Sequence, residues 1–566
     1  MKRAPVVVVI SLLLSLTSRV SADGVPGGWQ TSSDTPVAQA PLRALQGSTG
    51  LVVASLTAIP GHEIETLRRS NTGTGPPRIG FVRALPNPYA VQRNRAIQAT
   101  SASREWNWRG TVEVEGGHRL RLKLEDVHVP PTATFWVYGA GGDISSFDGS
   151  LAHDGVLWTP SVAGQTITLE VRTQNGEATS FTVAAVGEMR GPDEVVAHAA
   201  CLQDARCFTG LEDYGTSVAH MVYASGANLY VCTGGLILDS ARTFAPYFIT
   251  ANHCISTAAE AASLETFWDY TTSNCGGATP PLSTLPRRSG STLLATSATS
   301  DLSLLRLHST PPGSRWFFGW TTTPPSAGET LHRLSHPDSQ PQRYSASTVD
   351  TISTTCFATP RTSYIYSKPT VGTVIGGSSG SPIFKSNGQI VGALTGGCPG
   401  NADACGTSMR TIDGAFSSAY ASVFKPFLNP DVTQCSPCVA NQTTSCLLGN
   451  RFKVTMSWSD SFANLSGVGS RITYAENLPE IHPQFGPLSE SAFFSMYSFS
   501  PKSIETLVRM IKGANINDKY WVFVTGFAGA QYTVTIQDSQ SCATWQRTIP
   551  SGATTMLKDF EAFPFP

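Results

Sequence analysis

The uneven distribution of cysteine is the sequence feature that most constrains the fold of this chain. None of the 12 cysteines precedes Cys201, eight lie between Cys201 and Cys405, and four follow at positions 435, 438, 446 and 542. An even number of cysteines in an exported chain indicates disulfide bonds rather than thiol chemistry. The distribution therefore predicts a cysteine-free amino-terminal part, a cross-linked middle part and a carboxy-terminal part.

The first 22 residues have the pattern of a secretory signal peptide. Lys2 and Arg3 form a basic start, residues 6–16 are apolar, and the small residues 20–22 fit a cleavage site. We therefore expect a secreted chain that begins at Asp23. No later stretch has 18 consecutive apolar residues, so we expect no membrane contact after signal cleavage.

Composition excludes several classes of protein. Lys plus Arg is 39 and Asp plus Glu is 40, which gives a net charge of −1, and only 14% of the residues are charged. A nucleic-acid-binding surface needs a basic excess, and a disordered chain needs a high net charge with few aromatic residues. The 51 Gly and 37 Pro residues are typical of a loop-rich, mainly β protein.

Hydrophobic alternation predicts where the folded parts lie. Residues 23–95 are rich in Ser, Thr, Pro and Gly, and we expect them to be mostly loosely ordered. Short alternating runs at about 100–190 predict a β-sandwich within an amino-terminal part, residues 23–195. The middle part covers 196–428, a linker covers 429–446, and residues 447–566 predict a second β-sandwich.

Three motifs in the middle part occur in a fixed order. They are Phe248–Cys254, an apolar strand that ends in His253 and a cysteine; Ser300–Leu307, in which Asp301 opens an apolar strand; and Gly376–Phe384, a glycine-rich turn that contains Ser379. His, Asp, Ser is the chain order of a known catalytic triad. A serine hydroxyl needs a nearby base, which His253 would supply, and a shielded Asp301 would orient the imidazole. The backbone N–H groups of Gly377 and Ser379 are candidate oxyanion donors.

These motifs resemble those of trypsin-like serine proteases with the chymotrypsin fold. The Gly-Ser-Ser-Gly-Ser-Pro turn, Pro246-Tyr247-Phe248 before the histidine motif, and His336-Pro337 are most similar to the bacterial lysyl endopeptidases. Over residues 196–428 the resemblance implies a double β-barrel and hydrolysis of peptide bonds in a protein or peptide substrate. The expected fold class is thus mainly β, with the protease flanked by an amino-terminal and a carboxy-terminal β-sandwich.

The resemblance also implies disulfide bonds and a precursor. It implies that Cys232 pairs with Cys254 and Cys207 with Cys275, and that Cys201 pairs with either Cys398 or Cys405. It further implies a signal peptide, a pro-region, the protease and a carboxy-terminal extension. Activation by cleavage near residue 195 is the corresponding hypothesis.

Substrate specificity is where the sequence departs from these relatives. Lysyl endopeptidases hold the substrate ammonium with an Asp where this chain has Thr411, and they have a histidine at the position of Thr395. A pocket of Thr373, Thr395 and Thr411 would favour small or uncharged residues, because desolvating an ammonium without a carboxylate costs several kcal/mol. Asp413 lies two residues on, on the same strand face, and is the candidate for a shifted pocket carboxylate.

Some of these residues also fit other motifs. Gly376–Gly380 also matches the nucleophile elbow of lipases, with Ser378 as nucleophile, but the only later histidine is His482. His332 and His336 have zinc-pair spacing without the Glu of a metalloprotease, so structural histidines, and no cofactor or metal, are expected. A catalytically silent protease fold that acts as a binding or adhesion module is the alternative function. The sequence predicts no oligomeric state.

Overall fold

The structure is a computed structural model that describes most of the chain. It describes residues 24–30, 51–71, 75–92, 105–130, 132–139, 142–174, 179–191, 201–240, 242, 244–351, 355–356, 358–398, 405, 409–429, 438–460, 462–463, 465–472, 488–496, 503–513, 517, 519–526, 529–541, 543–552 and 556–564. The expected signal peptide, the cleavage region near 195, Cys435, His482 and Cys542 lie outside these ranges. Within them, no helix is both long and apolar enough to cross a membrane.

The amino-terminal part is a β-sandwich built of two sheets. The first sheet has the strand order β3-β5-β11-β7-β8. The second has the order β10-β6-β12-β4. Leu120, Leu122 and Leu124 alternate along β6 and are at most 1% exposed, so they fill the core between the sheets. The strands are β1 Gly24–Val25, β2 Gly28–Gln30, β3 Leu51–Leu56, β4 Arg78–Gln92, β5 Glu105–Val114, β6 Arg119–His128, β7 Thr134–Gly139, β8 Ile144–Asp148, β9 Leu157–Trp158, β10 Val162–Ala163, β11 Thr166–Gln174 and β12 Ser180–Met189.

The expectation that residues 23–95 are mostly loosely ordered is wrong for their described portion. This portion holds β1 to β4 and helix α1, Gly61–Ser70, and the sandwich begins at Leu51 rather than near residue 100. Val25 is fully buried in the core of the middle part, where β1 pairs with the strand Gly319–Thr321. Composition misled the prediction because several of these elements obtain their order from partners that are distant in the sequence.

The middle part forms two β-barrels, which confirms the expected chymotrypsin-like fold class. Strands β14 to β20 make the first barrel, and the second is a ring in the order β27-β26-β23-β24-β25-β28, closed by pairing of β28 with β27. The strands are β13 Gln203–Asp204, β14 Val218–Ser225, β15 Asn228–Leu236, β16 Tyr247–Thr250, β17 Glu265–Phe267, β18 Arg287–Ser289, β19 Ser291–Ser297, β20 Leu302–Leu307, β21 Arg315–Phe317, β22 Gly319–Thr321, β23 Thr330–Ser335, β24 Arg343–Val349, β25 Tyr364–Val371, β26 Pro382–Phe384, β27 Gln389–Gly397 and β28 Thr411–Ala415.

Helices are few and short in the middle part. They are α2 Glu212–Ser217, α3 Ala258–Ala262, α4 Phe416–Ala419 and α5 Lys425–Leu428, with a π-helical turn at Tyr420–Phe424 between the last two. Thr257 and Glu260 form a complete capping box at the start of α3. Strands therefore make up most of the regular structure of the middle part.

The carboxy-terminal part is a second β-sandwich, as expected. Its sheets have the orders β29-β30-β36-β37, with β31 beside β30, and β32-β33-β34-β35-β38. One hydrophobic core lies between them and includes Phe452, Val522 and Val534, all fully buried. The strands are β29 Ser445–Leu447, β30 Phe452–Asp460, β31 Leu465–Val468, β32 Ser470–Arg471, β33 Ser491–Ser495, β34 Thr506–Lys512, β35 Lys519–Gly526, β36 Gln531–Asp538, β37 Thr544–Ile549 and β38 Leu557–Pro564.

The amino-terminal sandwich and the first barrel share one continuous sheet. Strand β4 pairs antiparallel with β15, where Leu229 lies opposite Gly80. Leu67, Ile79, Leu229 and Val231 meet there in one hydrophobic cluster, so residues of both parts bury each other. The packing is thus continuous between the amino-terminal part and the first barrel.

Candidate active site

His253 and Asp301 lie together at the ends of neighbouring strands of the first barrel. Strand β16 ends three residues before His253, and Asp301 immediately precedes β20, which pairs with β16. Asp301 Oδ2 lies 2.7 Å from His253 Nδ1, and Asp301 Oδ1 accepts a hydrogen bond of 2.9 Å from the His253 backbone N–H. The carboxylate is 7% exposed, so it is shielded from bulk water. An imidazole held this way keeps its Nε2 directed away from the carboxylate.

Ser379 lies on the glycine-rich turn before β26, and this turn packs against the histidine strand. The Thr233 N–H donates to Ser379 O across 2.9 Å. A β-carbon built on Gly380 would lie 2.2 Å from Thr250 Oγ1 and 2.7 Å from Ala251 N. Only glycine permits such a close approach of the two backbones at a φ of +80°. The turn of the second barrel therefore packs directly on the end of β16.

The backbone of the same turn presents candidate oxyanion donors. Gly377 has a φ of +89°, and its carbonyl accepts a hydrogen bond of 2.8 Å from Thr233 Oγ1. The N–H groups of Gly377 and Ser379 have no acceptor among the residues that the structure describes. Two N–H donors without an internal partner beside a serine hydroxyl can bind a developing oxyanion.

Asp338, which was not among the residues singled out in the sequence, fixes the peptide group of one of these donors. Its N–H donates to Gly376 O across 2.8 Å, and Gly376 O belongs to the same planar peptide as the Gly377 N–H. Because C=O and N–H point in opposite directions in a trans peptide, this bond sets the direction of the Gly377 N–H. The Asp338 backbone is left-handed here, with φ +49°. No residue pattern marked this position, because its role depends on backbone geometry.

The Asp338 carboxyl group itself has an unusual environment. Asp338 is 4% exposed, and its Oδ2 has no hydrogen-bond partner among the described residues. Burial raises the pKa of this carboxyl from 3.8 to about 7. Nearby His336 is fully enclosed, and burial, with a smaller contribution from His220, lowers its pKa to about 3.

The four residues expected in the specificity pocket lie on or near strands β25, β27 and β28. Thr373 Oγ1 lies 3.0 Å from Met409 Sδ, and Thr395 Oγ1 is buried without a hydrogen-bond partner among the described residues. Thr411 Oγ1 lies 3.5 Å from Asp413 Oδ2, so the two residues share a strand face as expected. The threonines thus lie on or next to strands that are neighbours in the second barrel, and their role in substrate specificity stays a prediction.

Asp413, in contrast, is not a free carboxylate. It is fully buried and forms an ion pair with Arg333, whose Nη2 lies 2.5 Å from Asp413 Oδ1. Burial raises the pKa of Asp413, and the Arg333 charge opposes that shift. The candidate role of Asp413 as a shifted ligand for a substrate ammonium is contradicted by this pair, because a guanidinium already neutralises the carboxylate. Arg333 was missed in the sequence because it is one alternating residue of an ordinary strand.

Disulfide bonds join the strands around the site. Cys232 is bonded to Cys254 beside the histidine, and Cys207 is bonded to Cys275, which are the pairs that the resemblance implies. Cys201 is bonded to Cys405 rather than to Cys398, and Cys398 is bonded to Cys356. In the carboxy-terminal part, Cys438 is bonded to Cys446.

The alternative motifs do not form sites of their own. Ser378 Oγ accepts a hydrogen bond from Ser335 Oγ across 3.2 Å, and no histidine is among its described hydrogen-bond partners. His332 contacts Tyr344 Oη and Ser386 Oγ through its two ring nitrogens, at 2.8 and 3.1 Å. Within the described ranges, no cluster of three or more His, Cys, Asp or Glu side chains is arranged to hold a metal ion.

Comparison with known proteins points to one family. The family model "Lysyl endopeptidase, C-terminal domain" matches residues 196–413. A lysyl endopeptidase of Pseudomonas aeruginosa is 30% identical over 331 residues, which cover 54% of this chain and 71% of that protein. The secreted RxLR effector protein 73 of Plasmopara viticola is 25% identical over 279 residues, 44% of this chain and 66% of that protein. Among solved structures, the active form of the Rv3671c protease from M. tuberculosis is 13% identical, with a TM-score of 0.28, and the match covers 41% of this chain and 92% of that one.

Proposed function

Because this chain belongs to the lysyl endopeptidase family and is a trypsin-like serine endopeptidase, we propose that it hydrolyses peptide bonds through His253, Asp301 and Ser379. The observation that carries the proposal is the pair of hydrogen bonds from His253 to Asp301, at 2.7 and 2.9 Å. The turn that holds Ser379 packs on the end of β16, three residues before His253. Its substrate is a protein or peptide chain.

The proposed mechanism assigns one task to each group. His253 Nε2 accepts the proton of Ser379 as its Oγ attacks the scissile carbonyl, while Asp301 stabilises the imidazolium. The N–H groups of Gly377 and Ser379 bind the oxyanion of the tetrahedral intermediate. His253 then protonates the leaving amine, and a water molecule hydrolyses the acyl-enzyme by the reverse sequence of proton transfers.

We further propose that the protein is secreted as a precursor. Residues 1–22 would be removed during export, and cleavage near residue 195 would separate the amino-terminal part from the protease domain, residues 196–428. The linker 429–446 and the carboxy-terminal sandwich, residues 447–566, would form the extension. The five described disulfide bonds support an oxidising compartment.

The preferred residue on the amino side of the cleaved bond is proposed to be small or uncharged. Thr411 stands at the position of the ammonium-binding carboxylate, and Asp413 is engaged by Arg333. A lysine side chain in this pocket would lose its hydration without gaining a free carboxylate, which costs several kcal/mol. Cleavage-site profiling with a peptide library tests this, and a dominant preference for lysine would contradict it.

Labelling with a fluorophosphonate tests the proposed catalytic role directly. The reagent should modify Ser379, and Ser379→Ala and His253→Ala should abolish the labelling while the unfolding temperature stays close to that of the wild type. Absence of labelling in correctly processed protein would instead favour a catalytically silent binding or adhesion module. Peptide mapping of the modified residue identifies the nucleophile.

A further inference from the structure

A short segment of the amino-terminal part, Gly75–Pro77, lies against the serine turn of the second barrel. The Val231 N–H donates to Pro77 O across 3.0 Å. A β-carbon built on Gly376 would lie 3.0 Å from Pro77 Cγ and 3.1 Å from Gly75 O. The segment therefore occupies the space directly over the Gly376 backbone.

The two residues that this segment contacts adjoin the proposed catalytic groups. Gly376 contributes the carbonyl of the peptide that carries the Gly377 N–H. Val231 precedes Cys232, which is bonded to Cys254 next to His253. We propose that Gly75–Pro77, here called the strap, is an autoinhibitory segment that blocks part of the substrate-binding cleft in the uncleaved chain. This inference rests on the proposed function.

The chain on both sides holds the strap in place. The Asn71 side chain, just after α1, donates to Arg78 O and accepts from the Arg78 N–H, both at 2.8 Å. Arg78 starts β4, which pairs with β15. Leu67 of α1 and Ile79 of β4 are buried in the cluster shared with the first barrel. The strap is thus anchored by the sheet and the shared core and does not depend on its own contacts alone.

The chemistry of the strap suits an inhibitor. Pro76 and Pro77 have no N–H and a nearly fixed φ, so the segment loses little conformational entropy when it docks. Its hydrogen bond to Val231 uses the Pro77 carbonyl as acceptor, since neither proline has an N–H to donate. A substrate that approaches Gly376 and Val231 must displace this stiff segment.

The anchoring also implies that one cleavage is insufficient for activation. A cut near residue 195 would leave the strap attached to β4 and β4 attached to β15. The amino-terminal part must therefore be removed or further cut before the cleft opens. A strap that is docked nine-tenths of the time would reduce the rate of reaction at Ser379 about tenfold.

The inhibitory role of the strap is tested by the rate at which a fluorescent fluorophosphonate labels the full-length chain. This rate is measured from the fluorescence of the uncleaved band on a gel. Pro77→Asp places a carboxylate where Pro77 is buried, and Pro76→Asp alters the half-buried neighbour. Each should raise the labelling rate of the uncleaved band, Pro77→Asp by about tenfold. Pro86→Asp, at an exposed proline of strand β4, which follows the strap, is the matched control and should label at the wild-type rate.

The outcomes separate this inference from the proposed function. If Ser379 of the uncleaved chain labels equally fast in the wild type and in the strap variants, with unchanged unfolding temperatures, the strap does not inhibit. If Pro77→Asp fails to fold, the labelling rate of Pro76→Asp decides whether the strap inhibits. If Ser379 labels in no form of the protein, processed or unprocessed, the proposed function fails, and the inhibitory role of the strap fails with it.

Discussion

Asp338 donates its backbone N–H to Gly376 O, and this bond couples a buried loop of the second barrel to the turn that carries Ser379. A β-carbon on Gly377 would lie 2.8 Å from both Asp338 N and His336 O, so the loop and the turn are in direct contact. The loop is therefore part of the support for the proposed oxyanion donors.

Asp338→Val should lower kcat about tenfold with little change in KM, and Asp338→Gly should retain most of the activity. Valine is strained at a φ of +49°, by roughly 1–2 kcal/mol, whereas glycine adopts this conformation freely. The strain would shift the Gly376 peptide and misdirect the Gly377 N–H, which acts only in the transition state. Steady-state kinetics with a peptide substrate measure kcat and KM separately. Equal kcat values for the two variants would show that the bond from Asp338 to Gly376 O does not position the Gly377 N–H.

Asp338→Asn should stabilise the protein above pH 7. The pKa of Asp338 is about 7 in the folded protein and ordinarily 3.8, so between these values the unfolded chain ionises while the folded chain keeps its proton. Stability is therefore lost as the pH rises through this window. The amide has no charge to bury, and the gain at pH 8 should be about 2 kcal/mol after allowance for partial solvation. Urea unfolding at pH 4 and pH 8 measures the free energy of unfolding of both proteins. A gain of equal size at both pH values would exclude titration of Asp338 as the cause.

Asp301→Asn should lower kcat by about 10⁴-fold while the protein remains folded. The amide cannot accept the His253 Nδ1 proton in the same way, so the imidazole is no longer held in the tautomer that leaves Nε2 free. Asp213→Asn changes an exposed aspartate of α2 and serves as the control. A loss smaller than about tenfold would mean that another group orients His253.

Arg333→Met should destabilise the protein by about 3–5 kcal/mol, because it leaves the Asp413 carboxylate buried without its partner. The double variant with Asp413→Leu removes both charges and should recover most of this loss. Denaturant unfolding of the wild type, the single variant and the double variant tests the pair. If the double variant is no more stable than Arg333→Met alone, the unpaired Asp413 charge does not explain the loss of stability.

The amino-terminal part should remain bound after the chain is cut near residue 195. Besides the β4–β15 pairing, Asp143 Oδ1 lies 2.9 Å from Arg287 Nη2, and both residues are buried at the contact between the two parts. A cleavage site for a sequence-specific protease, inserted between residues 192 and 200, allows a single cut. The two pieces should then elute together in gel filtration, and Arg287→Ala should weaken their association. Immediate separation of the wild-type pieces would contradict this.

The resemblance of the middle part to trypsin-like serine proteases predicted the double barrel and the class of enzyme, and this resemblance rests on short local motifs. The motifs around His253, Asp301 and Ser379 combine short apolar strands with residues of fixed chemical role, and such patterns survive without knowledge of distant contacts. The order of the amino-terminal segment could not be predicted in this way. Strands β1 and β2 are two and three residues long, and they are stabilised by β22 and β21, almost 300 positions away.

The prediction that Asp413 could bind a substrate ammonium failed for a related reason. Strand periodicity placed it on the same face as Thr411, and the structure agrees, but periodicity says nothing about the side chain on the facing strand. Arg333 belongs to β23, 80 residues earlier, and only the closed ring of the second barrel brings it to Asp413. Asp338 escaped prediction because a left-handed backbone at a non-glycine residue has no reliable sequence signature.

The burial of Val25 constrains the order in which the chain can fold. Val25 O accepts a hydrogen bond from the side chain of Gln389, a separation of 364 residues, so Val25 cannot reach its final place until the second barrel has been synthesised. Contacts of such long range slow folding, because a large loop must close before they form. The segment around Val25 is consequently synthesised early but docks late, after the strands of the second barrel against which it packs.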